Sequence, residues 1–187
     1  MNNSKYIDPV ELKNNGDFYI PDEIIEALYK KNPPESYKIV EMKVGKIRRA
    51  VDGVITTLYD TINYRFLISP DDPQIKNSYI EYCNDIKNTH DNSSRSIGTF
   101  ENVEKDISSA DYDINKGVII VNQYNFVQDG LHRSCVLLKK YGPNHKIKVL
   151  KIYKKTQRRM RILSPLFEIK EYAVTICKNI VMIFKRK

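Results

Sequence analysis

Residues 118–133 read VIIVNQYNFVQDGLHR, and this stretch decides the fold. It opens with a β-branched apolar run, typical of a buried strand, and passes through a second short apolar pair to Asp129-Gly130. His132 and Arg133 follow and begin a helical pattern, which ends at Gly142-Pro143 because neither residue readily continues a helix. The stretch therefore predicts a strand, a turn and a helix in immediate succession.

The start of this helix is a predicted phosphate site. The first backbone N–H groups of a helix have no partner within the helix, and the helix dipole favours an anion beside them. His132 and Arg133 add charge-assisted donors in the first turn, and Ser134 adds a hydroxyl on the same turn. Two cationic side chains at this end oppose the dipole, so they indicate an external anion. We predict that Gly130, His132, Arg133 and Ser134 together hold a phosphate.

The elements on either side indicate an α+β fold, in which helices surround a small mixed sheet. Alternating or β-branched runs predict strands, and apolar stripes at helical spacing predict helices. The predicted strands are 37–47, 54–59 and 146–153, with a hairpin turn at Asp52-Gly53, and the predicted helices are 24–29, 74–87 and 100–107. We divide the chain into an entry segment (1–35), a nucleotide-binding core (36–155) and a basic helical appendage (156–187).

The appendage carries most of the positive charge. Residues 138–187 hold 15 Lys and Arg against 2 acidic residues, a net charge of +13, whereas residues 1–137 have a net charge of −5. Within it, Ser164-Pro165 begins a predicted amphipathic helix that runs to Phe184. Residues 158–187 are thus a candidate for binding an anionic membrane surface. Packing of the helix on its own domain or on a partner subunit, and a solvated basic tail, remain open alternatives.

Cysteine usage and the N-terminus indicate a protein of the cytoplasm, peripheral on the inner face of the cell membrane if the basic helix binds lipid. The three cysteines are far apart in sequence and favour a reducing compartment over a disulfide framework or a zinc site. The first residues contain no apolar segment typical of a secretory signal. The chain also lacks the sequence patterns of P-loop NTPases, G-x-S-x-G hydrolases and H-x-x-x-H metal sites.

The segment Asp129-Gly130-Leu131-His132-Arg133, with Leu137, Gly142 and the strand after it, resembles the signature of the ParB/sulfiredoxin-like superfamily. It is most similar to the D-G-x-H-R branch, which includes ATP- or ADP-dependent kinases of free serine and proteins of bacterial surface-polysaccharide clusters. The resemblance implies a nucleotide site at Gly130, His132 and Arg133. Leu131 occupies the place of the nucleophilic cysteine of sulfiredoxins, which argues against sulfinic acid reduction. The absence of a helix-turn-helix pattern argues against nucleic acid as a partner.

Phosphoryl transfer also needs a group that orients or deprotonates the acceptor hydroxyl. We predict that Asp129 either holds Mg²⁺ on the phosphates or orients the acceptor, the alternative being an ordinary turn residue. The resemblance implies a further acid from an upstream segment, and Asp71 and Asp72, in a loop fixed by prolines, are the best candidates, the alternative being a solvated turn. The other upstream acids that could serve are Glu41, Asp52 and Asp60. Further phosphate contacts are expected from three arginines, whose alternative role is surface charge: Arg48, Arg49 and Arg65.

Together these features predict a kinase that uses ATP or ADP with Mg²⁺ to phosphorylate a hydroxyl of a small molecule or glycan, in surface-polysaccharide biosynthesis. The alternative is a nucleotide-gated binding module, which would contact DNA or a protein partner through the basic C-terminal part. The acceptor, the nucleotide base and the oligomeric state are not specified by the sequence.

Overall fold

The computed structural model describes residues 7–13, 18, 20–31, 33–51, 54–89, 98–109 and 112–155. The helices are α1 (Pro9–Lys13), α2 (Asp22–Lys31), α3 (Ile62–Ile68), α4 (Pro73–Thr89), α5 (Gly98–Ser109) and α6 (Leu131–Tyr141). The strands are β1 (Pro34–Lys43), β2 (Arg48–Val51), β3 (Val54–Thr57), β4 (Ile120–Asn122), β5 (Val127–Asp129) and β6 (Lys146–Lys154). Short 3-10 turns occupy Val44–Lys46, Leu58–Asp60 and Ile114–Lys116.

Four of the strands form a mixed sheet in the order β1-β6-β4-β5. β4 runs parallel to β6, whereas β1 pairs with β6 and β5 pairs with β4 in the antiparallel sense. The strands β2 and β3 form a separate antiparallel hairpin, as Asp52-Gly53 predicted. A single parallel bridge between Arg48 and Phe126 brings this hairpin beside β5. The predicted fold class, an α+β fold with a small mixed sheet, is confirmed.

The two faces of the sheet bury different sets of helices, because apolar side chains on β6 point alternately to either side. Ile147 and Val149 belong to a cluster formed with residues of α3, α4, α5 and α6. Leu150 and Ile152 belong to a second cluster, which includes residues of α1 and α2. The predicted entry segment therefore supplies the helices that cover one face of the sheet.

Several elements differ from the sequence prediction. The predicted strand 37–47 ends at Lys43, because the N–H groups of Val44 and Gly45 leave the strand direction and donate to the carbonyls of His145 and Pro143. Helix α3 was not predicted, and its N-cap is Thr61, whose hydroxyl accepts a hydrogen bond from the Tyr64 N–H over 3.2 Å. A helix of only seven residues is too short to show a clear apolar period.

The turn from β4 to β5 depends on asparagine. The Asn122 side-chain oxygen accepts hydrogen bonds from the N–H groups of Tyr124 and Phe126, both over 3.0 Å. Asn125 takes the left-handed conformation with φ of 64°, which asparagine tolerates better than most residues. The turn delivers β5 next to β4, so that Asp129 lies opposite Ile120 and the chain enters α6 at Gly130.

The predicted C-terminal helix and its basic flanks, residues 156–187, lie outside the described residues. In the part of the chain that the structure describes, no helix is long and apolar enough to cross a membrane.

Gly130→Ala should lower the free energy of unfolding by about 1–3 kcal/mol, the range for a non-glycine residue held in a left-handed conformation. Gly130 has φ of 82° and ψ of 25°, and a Cβ there would lie 3.0 Å from a side-chain carbon of Ile119. Urea denaturation followed by circular dichroism measures the change. A variant as stable as the wild type would contradict the tight turn.

Candidate functional site

The candidate site lies at the first turn of α6. Gly130 is the residue before the helix, and no side chain caps the helix from that position. Asp129, half-buried at the end of β5, stands immediately before it. The backbone N–H groups of Leu131 and Arg133 have no hydrogen bond to any described residue. This helix start therefore keeps the donors that an anion would bind.

Arg133 projects from the first turn toward the segment that precedes β4. Its guanidinium packs against Gly117 so closely that a Cβ at position 117 would overlap it. Within the described ranges, Arg133 makes neither an ion pair nor a hydrogen bond, although its side chain is partly buried. A partly buried cation in the first turn of a helix can contribute to the binding of an anion there.

Tyr112 lies close enough to Arg133 for the positive charge of Arg133 to affect the Tyr112 pKa. The Tyr112 hydroxyl oxygen accepts a hydrogen bond from the Ile119 N–H over 3.2 Å, which ties the segment before β4 to its own strand. Burial raises the pKa of Tyr112 to about 12, and the Ile119 hydrogen bond and the Arg133 charge only partly oppose this. The Tyr112 phenol is therefore uncharged and does not neutralise the positive charge of Arg133.

His132 points the other way, into the interior. Only 9% of its surface is exposed, and its Nε2 lies 2.8 Å from the Tyr79 hydroxyl and 3.2 Å from the Asn63 side-chain nitrogen. The edge of the ring meets Phe100, with 4.5 Å between ring centroids. These contacts join α6 to α3, α4 and α5. The direct phosphate contact predicted for His132 stays a prediction.

Asn63 connects His132 to Arg49 on β2. The Arg49 guanidinium donates to the Asn63 side-chain oxygen over 3.2 Å and to the Tyr82 hydroxyl over 3.0 Å. It also lies over the Tyr82 ring, 4.9 Å from the centroid. Asn63 has no exposed surface, so both hydrogen-bonding atoms of its amide depend on these protein partners. The half-buried Arg49 is thus linked to the first turn of α6 through one buried amide.

Aromatic rings pack against one another and against His132 in this network of contacts. Phe66 stacks on Tyr79 with 4.3 Å between centroids and an interplanar angle of 4°. The centroid of the Phe100 ring lies 6.0 Å from that of Phe66 and 5.6 Å from that of Tyr79. Burial, with a smaller contribution from Cys83, raises the pKa of Tyr79 above its usual range, so the phenol stays protonated. The position of His132 is therefore fixed by packing as well as by hydrogen bonds.

Ser134 and Cys135 are buried within the same helix. The Ser134 hydroxyl donates to the Gly130 carbonyl over 2.9 Å, the same oxygen that accepts the Ser134 N–H. Its proton is therefore used inside the first turn, away from the position predicted for a phosphate. Burial raises the pKa of the Cys135 thiol to about 12, although the Thr61 hydroxyl and Arg49 oppose this. A thiol that stays protonated is a poor nucleophile, so Cys135 is structural.

The predicted upstream acids lie at the start of α4. The Asp72 carboxylate accepts hydrogen bonds from the Gln74 and Ile75 N–H groups over 2.9 and 3.2 Å, so Asp72 caps this helix. Asp71 is exposed in the same loop. Tyr79, the residue of α4 that reaches His132, lies seven residues after Asp72, about 10 Å along a helix axis. The cap explains the Asp-Pro pair structurally, and the proposed catalytic role of either residue stays a prediction.

The three predicted arginines occupy different environments. Arg48 is 3% exposed and bridges to β5, Arg49 belongs to the network around His132, and Arg65 is exposed on α3. No group of three or more His, Cys, Asp or Glu side chains suited to a metal ion occurs among the described residues. Asp129 is the carboxylate nearest in sequence to the predicted phosphate site, and one carboxylate with substrate phosphates suits Mg²⁺.

Sequence reasoning missed Asn63, Gly117 and Tyr112. Asn63 lies in a helix that was not predicted, and Tyr79 was predicted only as part of an apolar stripe. One signal was available for Asp72, because an acid directly before proline is typical of a helix N-terminus. Nothing local in the sequence marks Asn63 as a partner of His132.

Comparison of the chain with protein-family models, with curated proteins and with solved structures found no match. The family relationship implied by the similarity of residues 129–133 to the D-G-x-H-R signature therefore stays a prediction.

Tyr79→Phe should lower the free energy of unfolding by about 0.5–1.5 kcal/mol, because it removes one buried hydrogen bond and keeps the stacked ring. Tyr59→Phe is the matched control, since the Tyr59 side chain is 44% exposed and should be indifferent to the same change. Chemical denaturation of both variants gives the comparison. Equal stabilities would mean that the contact between Tyr79 and His132 contributes nothing.

Proposed function

We propose that this chain is a nucleotide-dependent phosphotransferase, which holds the phosphates of ATP or ADP at the start of α6 and transfers a phosphoryl group to a hydroxyl. The observation that carries the proposal is the placement of Arg133. Its guanidinium lies against Gly117, with no ion pair or hydrogen bond in the described part of the chain, and it belongs to a helix turn in which Gly130 provides no capping side chain. The resemblance of residues 129–133 to nucleotide-using kinases is the reason for choosing a nucleotide over a simple phosphate.

Each residue of the first turn has a separate part in this proposal. Gly130 lets the chain turn without a side chain, so that a phosphate can approach the backbone. The N–H groups of Leu131 and Arg133 donate to phosphate oxygens, and the guanidinium of Arg133 supplies the positive charge. His132 is anchored behind the turn through Nε2 and is proposed as a further donor to the phosphate.

Asp129 is proposed to orient the acceptor hydroxyl or to hold Mg²⁺. Bound Mg²⁺ neutralises the charge that develops on the phosphates during transfer. The half-buried Asp129 directly precedes Gly130, so it lies at the end of β5 next to the proposed phosphate site. The acceptor is proposed to be a small molecule or a glycan, following the polysaccharide-cluster members of the resembling branch.

Arg133→Ala should weaken the binding of ATP or ADP by about 1.5–3 kcal/mol, the range for a hydrogen bond to a charged group. Gly117→Ala should also weaken binding, because the new Cβ displaces the guanidinium while the charge is kept. Lys148→Ala is the control for lost charge, since Lys148 is exposed on β6. Isothermal titration calorimetry measures all three.

Two results would contradict the phosphate site. Arg133→Ala could bind nucleotide as tightly as the wild type, or Lys148→Ala could lose as much affinity as Arg133→Ala. The second result would mean that nucleotide senses only the overall charge of the protein.

Asp129→Asn should keep the fold and the binding of nucleotide but abolish phosphoryl transfer, because asparagine keeps the size and turn preference of aspartate without its charge. Asp72→Asn is the matched control, since asparagine caps a helix as well as aspartate does. Transfer is followed as the loss of nucleotide triphosphate in the presence of candidate hydroxyl acceptors. If Asp72→Asn abolishes transfer while Asp129→Asn does not, the catalytic acid is at the start of α4 instead.

A further inference from the structure

A chain of hydrogen bonds leads from Arg49 to the first turn of α6. Arg49 Nη1 donates to Asn63 Oδ1 over 3.2 Å, and Asn63 Nδ2 lies 3.2 Å from His132 Nε2. Asn63 is fully buried, so its amide is held between two side chains from different elements of the fold. One end of the amide accepts hydrogen bonds and the other end donates them. The contact with Arg49 therefore determines which end of the amide faces His132.

The chemistry of the groups fixes the direction of each hydrogen bond. A guanidinium only donates, so the atom of Asn63 that faces Arg49 must be the carbonyl oxygen. The amide nitrogen then faces His132, and an amide nitrogen also only donates. His132 Nε2 must therefore accept, which it does only when it carries no proton.

Tyr79 is compatible with the same arrangement. Its hydroxyl lies 2.8 Å from His132 Nε2. Burial and the nearby Cys83 raise the pKa of Tyr79, so the phenol keeps a proton that it can donate. Two donors directed at Nε2 leave no room for a proton on that nitrogen.

We propose that Asn63 is a positioning residue that fixes His132 in the neutral tautomer with its proton on Nδ1, and that Arg49 sets the orientation of the Asn63 amide. Nδ1 is bonded to Cγ, so this proton lies on the side of the ring nearer the backbone of the first turn. His132 is thus a neutral donor at the helix start, and Arg133 is the cation. The part of the inference that concerns a bound phosphate rests on the proposed function.

This assignment also removes an electrostatic difficulty of the motif. Two positive charges in the first turn would both oppose the helix dipole. A neutral His132 halves that unfavourable charge and still leaves a hydrogen-bond donor. The pair His-Arg then supplies one donor and one cation, and no counter-charge is needed for the histidine.

The test is the ¹⁵N spectrum of the imidazole rings in the full chain at neutral pH. His132 is identified in a variant in which His90 and His145 are both replaced by glutamine, so that it is the remaining histidine. We expect Nδ1 to appear protonated and Nε2 unprotonated. In Asn63→Asp the carboxylate only accepts, so Nε2 should become protonated, whereas Tyr79→Phe, in which Asn63 still donates, should keep the wild-type pattern.

If Nε2 is protonated in the variant that changes only His90 and His145, the inference is overturned. An unchanged pattern in a folded Asn63→Asp variant would overturn it too. If Asn63→Asp does not fold, Arg49→Gln replaces it, because an amide that Arg49 no longer orients can turn and should give both tautomers. A single unchanged tautomer in Arg49→Gln would overturn the part assigned to Arg49.

Nucleotide titration of the same samples separates this inference from the proposed function. Asn63→Asp should lower the affinity for ATP roughly tenfold, the loss of about one hydrogen bond to a charged group. If the tautomer changes and the affinity does not, His132 positions the turn but does not contact the phosphate. If neither protein binds ATP, the proposed function fails, while the spectrum still decides the tautomer.

Discussion

The passage from β5 into α6 is the constraint on which the rest of the structure depends. Gly130 takes a left-handed conformation directly over Ile119, so the two strands of the hairpin and the helix meet within the space of one glycine. This close approach sends His132 inward and Arg133 toward Gly117. A Cβ at position 130 would lie 3.0 Å from the Ile119 side chain, on a residue held in the left-handed conformation.

The burial of His132 ties the first turn of α6 to the interior of the protein. Three helices from earlier in the chain each give one contact to its ring: Asn63 from α3, Tyr79 from α4 and Phe100 from α5. A buried polar group that loses a partner costs more than a neutral hydrogen bond gains, so both polar partners, Asn63 and Tyr79, help to hold His132 in place. The start of α6 is therefore supported by the tertiary fold.

The sequence predicted those parts of the structure that have local signals. The order of β4, the turn and α6 follows from the apolar run and Gly130, and α4 follows from its apolar stripe with Tyr79 and Cys83. The partners of His132 had no such signal, because they are set by the packing of helices that are distant in sequence. Arg49 was predicted only as a phosphate contact, and the structure shows that it donates hydrogen bonds to Asn63 and Tyr82. Local patterns identify a helix start, but only packing decides which of its side chains turn inward.

The pairing of β1 with β6 has a consequence for synthesis of the protein. Pro34 lies opposite Lys154 in the sheet, and among the strands that the structure describes β1 pairs with β6 alone. The helices α1 and α2 likewise bury their apolar residues against Leu150 and Ile152. A ribosome adds about 5–20 residues each second, so these N-terminal elements wait for several seconds before their partners exist. During that time their apolar surface is available to chaperones, and closure of the sheet is a late step that involves contacts of long sequence separation.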